Sequence, residues 1–445
     1  MLYGAIRVER VSPPVASRLM VYLTSALYSG LAAVDPELPS LVGSLNGLTG
    51  LPQPEPGQAY DATVTAVAAE RVVVDSLLRE ALPTTRAALV RLADSLEGAR
   101  VALGVGDAER TRSLDLGRRI GLAVVAWSRT DGFDSTRGRR YLAPTGRGLW
   151  VNDAPPTIYA PQNLSGVSEL VALENPANLL RPGEASDRGL ILNRPKRAGL
   201  ATLAPVNMAG MSEPYWAQVR PFVLRRWDEC AISDPPPFST DSGSPFHEDA
   251  MRLHELRRSL TPEQRTIALY WADNAGESGT PVGHWIAIAS QMVAQHDLSA
   301  GDAARLMVLT AVAQADAFIA SWGFKYRYNL IRPRTYIRSV IDSTWEPLIP
   351  TPPFPEYPSG HSAQSAAAAT VLTALIDETP FEDSTSIAIG HSARRFDSFR
   401  AAADEAGISR TYGGIHFNFG NLAGRELGDC IGARTIERVQ GSPSP

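Results

Sequence analysis

Residues 301–331 read GDAARLMVLTAVAQADAFIASWGFKYRYNLI, and this stretch gives the clearest indication of the fold class. Its Ala, Leu, Val and Ile residues recur at three- and four-residue intervals, a spacing typical of a helix with a buried face. Similar Ala- and Leu-rich segments occur throughout the chain, whereas alternating strand patterns are scarce. The sequence therefore predicts an all-α protein, with helices at 14–33, 61–80, 84–103, 262–273, 284–296, 301–331, 361–377 and 421–436.

The tetrapeptide RLMV of this helix, at 305–308, also occurs at 18–21 inside another predicted helix. Two further pairs follow in the same order: ATVTAVAAERVVVDSLL (62–78) with HSAQSAAAATVLTALID (361–377), and LGRRIG (116–121) with AGRELG (423–428). Each match alone is weak, and helical low complexity can produce such matches by chance. The common order favours a duplication, so we predict two related helical bundles that form one large domain.

The amino-acid composition changes between residues 132 and 245, where Gly, Pro, Asn and Ser are frequent, as in DGFDSTRGRR and SDPPPFSTDSGS. This composition predicts a long irregular Gly/Pro-rich connection. We expect short helices within it, because Trp150, Tyr159, Trp216 and Trp227 supply side chains that can pack. The predicted organisation is one bundle half at 1–131, the connection at 132–245, and a second bundle half at 246–445.

The composition is that of an ordinary globular chain of 445 residues, with 20% charged residues and a net charge of −5. This mild acidity argues against a general nucleic-acid or anionic-membrane binder. We find no run of about 18 uncharged apolar residues and so predict no transmembrane helix. The N-terminus lacks a signal-peptide pattern, which favours the cytoplasm by default; a signal removed beforehand would leave the same pattern in an exported protein.

Cys230 and Cys430 are the only two cysteines. This number excludes a structural zinc site built on cysteines and does not imply a disulfide framework. A single bridge between the two remains open, because their separation in sequence says nothing about their geometry.

The stretch KYRYNLIRP, within the 301–331 segment and just after it, places Lys325 seven positions before Arg332. Seven positions are about two helical turns, so we expect both cations on one helix face. Pro333 disfavours helix at Arg332 and should turn the chain there.

Two more polar stretches follow in the C-terminal third. PSGH brings Ser359, Gly360 and His361 to the start of the predicted helix at 361–377. A Ser-Gly pair at a helix start presents a hydroxyl and free backbone N–H groups, which suits an anion. SRTYGGIH then supplies Arg410 and His416.

Each of these residues alone has an ordinary explanation, as a solvated cation, a structural histidine or a helix cap. Together in a bundle core the three cations would cost several kcal/mol each unless an anion compensated them. The acidic residues available nearby are Glu356 and Asp316. The sequence therefore predicts a site in the C-terminal half for a bound tetrahedral oxyanion.

The motifs K-x6-RP, PSGH and SR-x5-H, in this order, resemble the shared signature of type 2 phosphatidic acid phosphatases, bacterial class A acid phosphatases and vanadium-dependent haloperoxidases. The resemblance covers residues 325–416 directly. A weaker similarity to bacterial haloperoxidases extends through ALYWAD (268–273), PVGHW (281–285) and the helix at 301–324.

The resemblance implies a role for each matched residue. His416 would bond vanadium in vanadate through a ring nitrogen, or attack phosphorus in a phosphatase. His361 would be the acid–base residue that faces the apical oxygen or the leaving group. Lys325 would polarise bound peroxide. The oxyanion itself would accept hydrogen bonds from Lys325, Arg332, Arg410, the Ser359 hydroxyl and the Gly360 amide.

Vanadate and phosphate are nearly isosteric, so phosphate can occupy the same site and the motifs alone do not separate the activities. Chain length, the apparent duplication and the missing transmembrane helices favour the haloperoxidase. Trp322 and Phe354 lie where aromatic residues line the halide side in the haloperoxidases, although plain core packing would also use them. We expect hydrogen peroxide, a halide (iodide or bromide before chloride) and a small organic acceptor as substrates.

Two alternatives and one departure stand beside this hypothesis. The chain could be an acid phosphatase that works through a phosphohistidine at His416, or a non-catalytic helical scaffold, which would have no reason to keep three buried cations. Homo-oligomer formation is left open.

Many haloperoxidases carry Asp four residues after the ligating histidine, and Gly420 stands there in this chain. What orients His416 is thus undecided. His391 is interpreted as local structure, and His284 has no assigned role.

Overall fold

The computed structural model of the protein describes residues 2–137, 139, 141–152 and 213–440. The middle of the predicted connection, residues 153–212 with Tyr159, lies outside these ranges, so the short helices expected there are not described. The N-terminal part consists of α1 Leu2–Glu9, α2 Pro13–Ala32, α3 Ala62–Leu77, α4 Pro83–Ala102, α5 Asp107–Ser128 and α6 Phe133–Thr136.

The C-terminal part begins with a single 3₁₀ turn at Trp216–Gln218. Its helices are α7 Pro245–Ser259, α8 Pro262–Tyr270, α9 Thr280–Gln295, α10 Ala300–Tyr328, α11 Pro333–Val340, α12 Gly360–Ile376, α13 Phe399–Gly413 and α14 Asn418–Gln440. A second 3₁₀ turn, Ile387–Ile389, lies between two short strands. These strands, β1 Phe381–Asp383 and β2 Arg394–Phe396, pair in antiparallel register with Phe381 opposite Phe396.

The all-α class and the two related bundles predicted from the sequence are confirmed. Helices α1, α5, α7, α11 and α13 are not among those predicted from the sequence. Charged residues and glycines interrupt the apolar periodicity of α5 and α13, and helices of this kind are stabilised by packing more than by their intrinsic propensity.

Helix α10 runs through the centre of the molecule. Within the described ranges it is the one helix long and apolar enough to cross a membrane by length and composition, and 83% of its most apolar window is buried inside the protein. A single apolar cluster contains Met20 and Leu23 from α2 together with Val308 and Val312 from α10. Because this cluster crosses from one half to the other, the two bundles share one core.

The duplication is visible in how two glycine pairs pack. A Cβ on Gly117 of α5 would lie 2.3 Å from the Thr65 carbonyl oxygen of α3, and a Cβ on Gly424 of α14 would lie 2.4 Å from the Ser359 carbonyl oxygen that opens α12. The second glycine of each pair, Gly121 or Gly428, repeats this approach one helical turn further on. Thus α3 with α5 corresponds to α12 with α14.

The structural alignment of α3 with α12 has a different register from the sequence match between residues 62–78 and 361–377. The glycine contacts pair Ala69 of α3 with Ala363 of α12, because these residues follow the two carbonyls by the same number of positions. The match of 62–78 with 361–377 pairs Ala69 with Ala368 instead. Helical sequences rich in alanine match in several registers, whereas a close approach of two backbones selects one.

Gly428→Ala should destabilise the protein by about 1–3 kcal/mol, the usual cost of forcing a methyl group into a packed core. The added Cβ would lie 2.1 Å from the Ala363 carbonyl oxygen, and backbone cannot move aside cheaply. Gly98→Ala in α4 is the matched control, since nothing lies within 4 Å of its Cβ position; it should stabilise by about 0.5–1 kcal/mol. Denaturant unfolding measures both, and equal effects would contradict the close approach.

The connection is held to the second bundle by a disulfide and by packing. Cys230 and Cys430 are bonded, with their Cα atoms 5.9 Å apart, which resolves the question left open by the sequence. Asp316 of α10 accepts the backbone N–H groups of residues 222–224 at 2.6–2.9 Å. The disulfide alone should add roughly 2–4 kcal/mol to the free energy of unfolding.

Candidate active site

The seven residues predicted for the oxyanion site lie together at neighbouring helix ends of the second bundle. Each helix end presents its side chain or its backbone N–H toward the same small volume. The residues are Lys325 in the last turn of α10, Arg332 as the N-cap of α11, Ser359 as the N-cap of α12 followed by Gly360 and His361, Arg410 in the last turn of α13, and His416 just before α14.

Lys325 and Arg332 do not share a helix face, so that part of the prediction is wrong. Helix α10 ends at Tyr328 because Asn329 adopts the left-handed conformation, with φ of 46°. Arg332 is extended ahead of Pro333, as the sequence predicts. The turn at Asn329 brings the guanidinium back towards Lys325.

Lys325 is fully buried, and its ammonium group donates to three carbonyl oxygens. These belong to Pro355 at 3.1 Å, Glu356 at 2.8 Å and Pro358 at 2.5 Å. Burial, followed by the neighbouring charge of Arg332, lowers the pKa of Lys325 well below its usual value. The ammonium thus fixes the 355–358 segment, whose Tyr357–Pro358 peptide bond is cis.

Arg332 contacts both sides of the site. Its Nε donates to the Phe354 carbonyl oxygen at 2.8 Å, and its Nη1 donates to the Ile415 carbonyl oxygen at 2.8 Å. The same Nη1 lies 3.2 Å from His416 Nε2. Because a guanidinium is only a donor, Nε2 must be the acceptor and must carry the lone pair of the imidazole.

His416 is oriented by Glu356, which answers the question raised by Gly420. His416 Nδ1 lies 2.7 Å from Glu356 Oε1, and the Phe417 N–H donates to the same oxygen at 3.1 Å. Because the Nδ1 proton is donated to Glu356 in this hydrogen bond, Nε2 keeps the lone pair of the ring. Burial raises the pKa of Glu356 to about 7 despite the nearby cations, and it lowers that of His416.

Gly420 makes room for this carboxylate. A Cβ on Gly420 would lie 2.3 Å from Glu356 Oε1 and 2.9 Å from Oε2. A carboxylate growing from position 420 would therefore compete for the space that Glu356 fills. Glu356 is the residue that orients His416, which the sequence leaves undecided. Its place two residues before PSGH, together with the missing Asp at 420, was the signal available.

His361 is held as a neutral imidazole with one tautomer. Its Nε2 lies 3.1 Å from Arg410 Nη1, and the ring also bonds to the backbone of Trp271. Since the guanidinium donates, Nε2 accepts and Nδ1 carries the proton. Burial, followed by the charge of Arg410, lowers the pKa of His361 well below its usual value. A neutral histidine can accept a proton at the nitrogen that carries its lone pair, which here is Nε2, directed at Arg410.

Ser359 and Arg410 complete the donor set. Ser359 Oγ accepts from the Ser362 N–H at 3.4 Å and lies 3.0 Å from the Ser362 hydroxyl, which also lies 3.2 Å from Asn421 Oδ1. Arg410 Nη2 is buried and makes no hydrogen bond with any described residue. Burial lowers the pKa of Arg410 to about 10.

The charges around the site do not balance. Lys325, Arg332 and Arg410 are each at most 1% exposed, and Glu356, the carboxylate bonded to His416, also accepts the Phe417 N–H. Asp316, the other acid considered, is occupied by the backbone of residues 222–224. Buried cations without counter-charge are costly, and the unmet Arg410 Nη2 marks where a partner is missing. The residues fit a multiply charged tetrahedral oxyanion.

Two aromatic rings form one wall of the site. The Trp322 and Phe354 ring centroids are 4.9 Å apart, and the Lys325 ammonium lies 5.2 Å from the Phe354 centroid. Both rings line a cavity of about 940 Å³, its open mouth included, which also reaches His361, Arg410 and His416. The predicted halide-side residues therefore lie beside the oxyanion residues, and their role remains a prediction.

A buried charge cluster at the other side of the cavity is not predicted from the sequence. His284 Nδ1 lies 3.0 Å from both oxygens of Asp273, and Nε2 lies 2.8 Å from Asp383 Oδ2. Burial alone would lower the pKa of His284, but the two carboxylates outweigh it and raise the pKa to about 10. His284 fixes the loop that carries Trp271, and no local sequence signal joins residues 99 positions apart. His391, by contrast, packs on Tyr270 away from the oxyanion residues.

Comparisons with known proteins show which families and structures the chain is similar to. A family model described as the VCPO second helical-bundle domain matches residues 305–444. The crystal structure of the first bacterial vanadium-dependent iodoperoxidase is similar over 98% of this chain and 94% of that chain, with a TM-score of 0.77 and 30% identity. The search of curated protein sequences gave no match.

Two structures of bacterial vanadium-dependent chloroperoxidase are similar at lower identity. The holo-type structure covers 98% of this chain and 94% of its own, with a TM-score of 0.65 and 16% identity. The apo-type structure covers 97% and 95%, with a TM-score of 0.63 and 16% identity. At this identity the chloroperoxidases show a shared fold alone.

Proposed function

The chain belongs to the vanadium-dependent haloperoxidases, peroxidases that oxidise halide, and from this premise we propose that it oxidises iodide, and bromide less readily, with hydrogen peroxide. The observation that carries the proposal is the buried set of three cations around His416, whose Nε2 keeps its lone pair because Nδ1 is bonded to Glu356. The iodoperoxidase similarity supports iodide, which is also the halide most easily oxidised.

We assign the cofactor vanadate to these residues. His416 Nε2 would be the ligand, and the anion's oxygens would accept hydrogen bonds from Arg332, Arg410, the Ser359 hydroxyl and the Gly360 N–H. Lys325, whose three N–H groups donate to carbonyl oxygens, would act on the anion through its charge. Vanadate, when bound, supplies a Lewis-acid centre that activates peroxide, and the oxidation state of vanadium stays the same. Phosphate has the same shape and would compete.

The protein's own groups would handle the protons and the access of water. His361 Nε2 is an acceptor and would take a proton from entering peroxide and return it to the departing oxygen as water forms. Lys325 would draw electron density from the peroxide. Trp322 and Phe354 would limit water beside the halide. The net reaction joins peroxide, halide and one proton into hypohalous acid and water.

One experiment tests this function. The protein is purified without phosphate, loaded with vanadate, and assayed for peroxide-dependent oxidation of iodide, bromide and chloride and for hydrolysis of p-nitrophenyl phosphate. Halide oxidation that requires vanadate and is suppressed by phosphate is the expected result. Phosphate ester hydrolysis without halide oxidation would establish the acid phosphatase alternative instead, and the absence of both activities would favour a scaffold.

Vanadate or phosphate should stabilise the protein against heat. An anion that binds only the folded state contributes about 2.7 kcal/mol at 100 times its Kd, which raises Tm by a few degrees. Arg410→Ala should lose most of this rise, because it removes a buried donor. Arg425→Ala, at a half-exposed arginine of α14, is the control and should keep it. Scanning fluorimetry measures the Tm of both variants with and without the anion. Equal Tm shifts in the two variants would contradict the placement of the anion at Arg410.

The Cys230–Cys430 disulfide bears on the compartment. Disulfides persist where thiols are oxidised and are rare in the cytosol. We therefore propose an oxidising compartment in place of the cytoplasm that the sequence favours by default.

A further inference from the structure

His284 is the centre of a buried cluster in which both of its ring nitrogens face a carboxylate. Asp273 takes the Nδ1 side at 3.0 Å and Asp383 the Nε2 side at 2.8 Å, and all three residues are at most 6% exposed. Carboxylates accept hydrogen bonds, so both ring nitrogens must donate and the ring must be an imidazolium. Burial alone would raise the pKa of Asp383, but the charge and hydrogen bond of His284 lower it below its usual value, which agrees with this assignment.

The cluster holds a loop whose backbone needs support from outside. Residues 271–279 connect α8 to α9, and left-handed φ angles occur at Asp273 (48°), Gly276 (94°) and Thr280 (66°). Such conformations are costly for residues other than glycine and persist where the surrounding structure fixes them. His284, in the second turn of α9, bonds to Asp273 of this loop, and Asp383 of β1 holds His284 from the other side.

Trp271, the first residue of the loop, packs on the imidazolium. The centroids of the Trp271 and His284 rings are 4.5 Å apart and the ring planes differ by 17°. A cation that lies against the face of an indole is attracted by the ring. The indole N–H donates to Glu405 Oε1 at 2.9 Å, and the side chain is 1% exposed. His284 therefore supports the face of Trp271 as well as the loop that follows it.

The backbone of Trp271 in turn holds the ring of His361. The Trp271 N–H is donated to the Ile267 carbonyl oxygen at 3.2 Å, so the Trp271 carbonyl oxygen is the acceptor and His361 Nδ1–H is the donor. The single lone pair of Nε2 cannot accept from Arg410 and take a proton from peroxide at the same time. Once Nε2 leaves Arg410, the bond to the Trp271 carbonyl is the one of these two contacts that still orients the ring.

We infer that His284 is a positioning residue for His361, which it orients through the stacked Trp271 and the carbonyl oxygen that accepts the Nδ1 proton. The acid–base role of His361 belongs to the proposed function, on which this assignment rests. With the carbonyl fixed, the ring presents the Nε2 lone pair in one orientation. With the carbonyl displaced, fewer molecules hold the ring ready for proton transfer.

The test compares His284→Gln with His254→Gln. His254 is the matched control, because it is also a buried histidine of the second bundle whose Nε2 lies 3.1 Å from a carboxylate, that of Asp342. It belongs to α7 and pairs with a residue outside the loop that carries Trp271. Both variants should have a lower Tm, since each takes a hydrogen-bonding partner away from a carboxylate.

His284→Gln in the vanadate-loaded protein should lower kcat for iodide oxidation by about tenfold, a part of the roughly 10²–10⁴-fold that a general acid–base residue contributes. The KM for iodide and the Kd for vanadate should stay as in wild type, because the proposed donors to the oxyanion are unchanged. The ¹H NMR signal of His361 Nδ1–H, recorded without vanadate, should move upfield and exchange faster with solvent. His254→Gln should keep both kcat and this signal.

A second variant and a measurement on wild type cover a folding failure of His284→Gln. His284→Gln combined with Asp383→Asn removes one buried negative charge together with the imidazolium, so it leaves less uncompensated charge. It should show the same loss of kcat. In wild type, ¹⁵N NMR should find a proton on both ring nitrogens of His284 at pH 7, and a ring with one proton would overturn the assignment.

The outcomes distinguish this role from a purely structural one. A lower Tm with wild-type kcat and an unchanged His361 signal in the His284 variants would overturn the positioning role alone. An equal loss of kcat in His254→Gln would overturn it as well. Absence of vanadate-dependent iodide oxidation in wild type would overturn the proposed function and the positioning role with it. A loss confined to kcat, together with an altered His361 signal, supports the inference.

Discussion

His416→Ala should abolish vanadate-dependent halide oxidation, with a loss greater than the roughly 10²–10³-fold that removal of one oxyanion donor costs. The variant removes the proposed ligand itself, whereas each cation is one donor among several. It also leaves Glu356 buried without its imidazole partner. Rates of triiodide formation at saturating vanadate, and vanadate affinity measured by ⁵¹V NMR, should both collapse.

His296→Ala is the matched control, because His296 is exposed and follows α9 away from the site. It should leave activity and vanadate affinity as in wild type. Circular dichroism and thermal unfolding establish that each variant is folded. Activity retained by a folded His416→Ala variant would remove His416 from the role of ligand.

Exchanging the carboxylate between positions 356 and 420 should break and then restore the site. Glu356→Ala leaves His416 Nδ1 without its acceptor. Loss of such an orienting partner typically lowers metal affinity or activity by about 10–100-fold. Gly420→Asp alone should also fail, because its Cβ would lie 2.3 Å from Glu356 Oε1. The double variant Glu356→Ala with Gly420→Asp removes the clash and returns a carboxylate to the same space, so vanadate affinity should recover in large part.

The readout must separate orientation of the ring from general damage. ¹⁵N NMR of His416 should show the Nδ1 proton lost from its fixed position in Glu356→Ala and regained in the double variant. Glu346→Ala, at a half-exposed glutamate paired with Arg334 and Arg338, is the control for removing a carboxylate. A double variant no better than the worse single variant would refute the exchange.

Much of this site could be predicted from the sequence because its residues lie in short local motifs. Ser359 and His361 are two residues apart, and the helix start that presents them has a capping signal of its own. The all-α class followed from periodicity in the same way. Both predictions depend on residues close together in sequence, so spacing and capping rules are enough to make them.

The rest depends on contacts between distant segments. The Glu356–His416 bond joins residues 60 positions apart, and the His284–Asp383 bond joins residues 99 positions apart. Contacts between residues so far apart in sequence leave no recognisable pattern in the sequence. The same reason explains the error at Lys325 and Arg332: seven-residue spacing fits a helix, but the left-handed turn at Asn329 decides their geometry.

The disulfide has a consequence for how long the enzyme survives its own product. Hypohalous acids oxidise thiolates through sulfenic acid to irreversible products, and the sequence contains only two cysteines. Both are consumed in the Cys230–Cys430 bond, so the chain offers no free thiol to self-inactivation. The bond that fastens the connection to the last helix thus also removes the side chains most vulnerable to suicide oxidation during turnover.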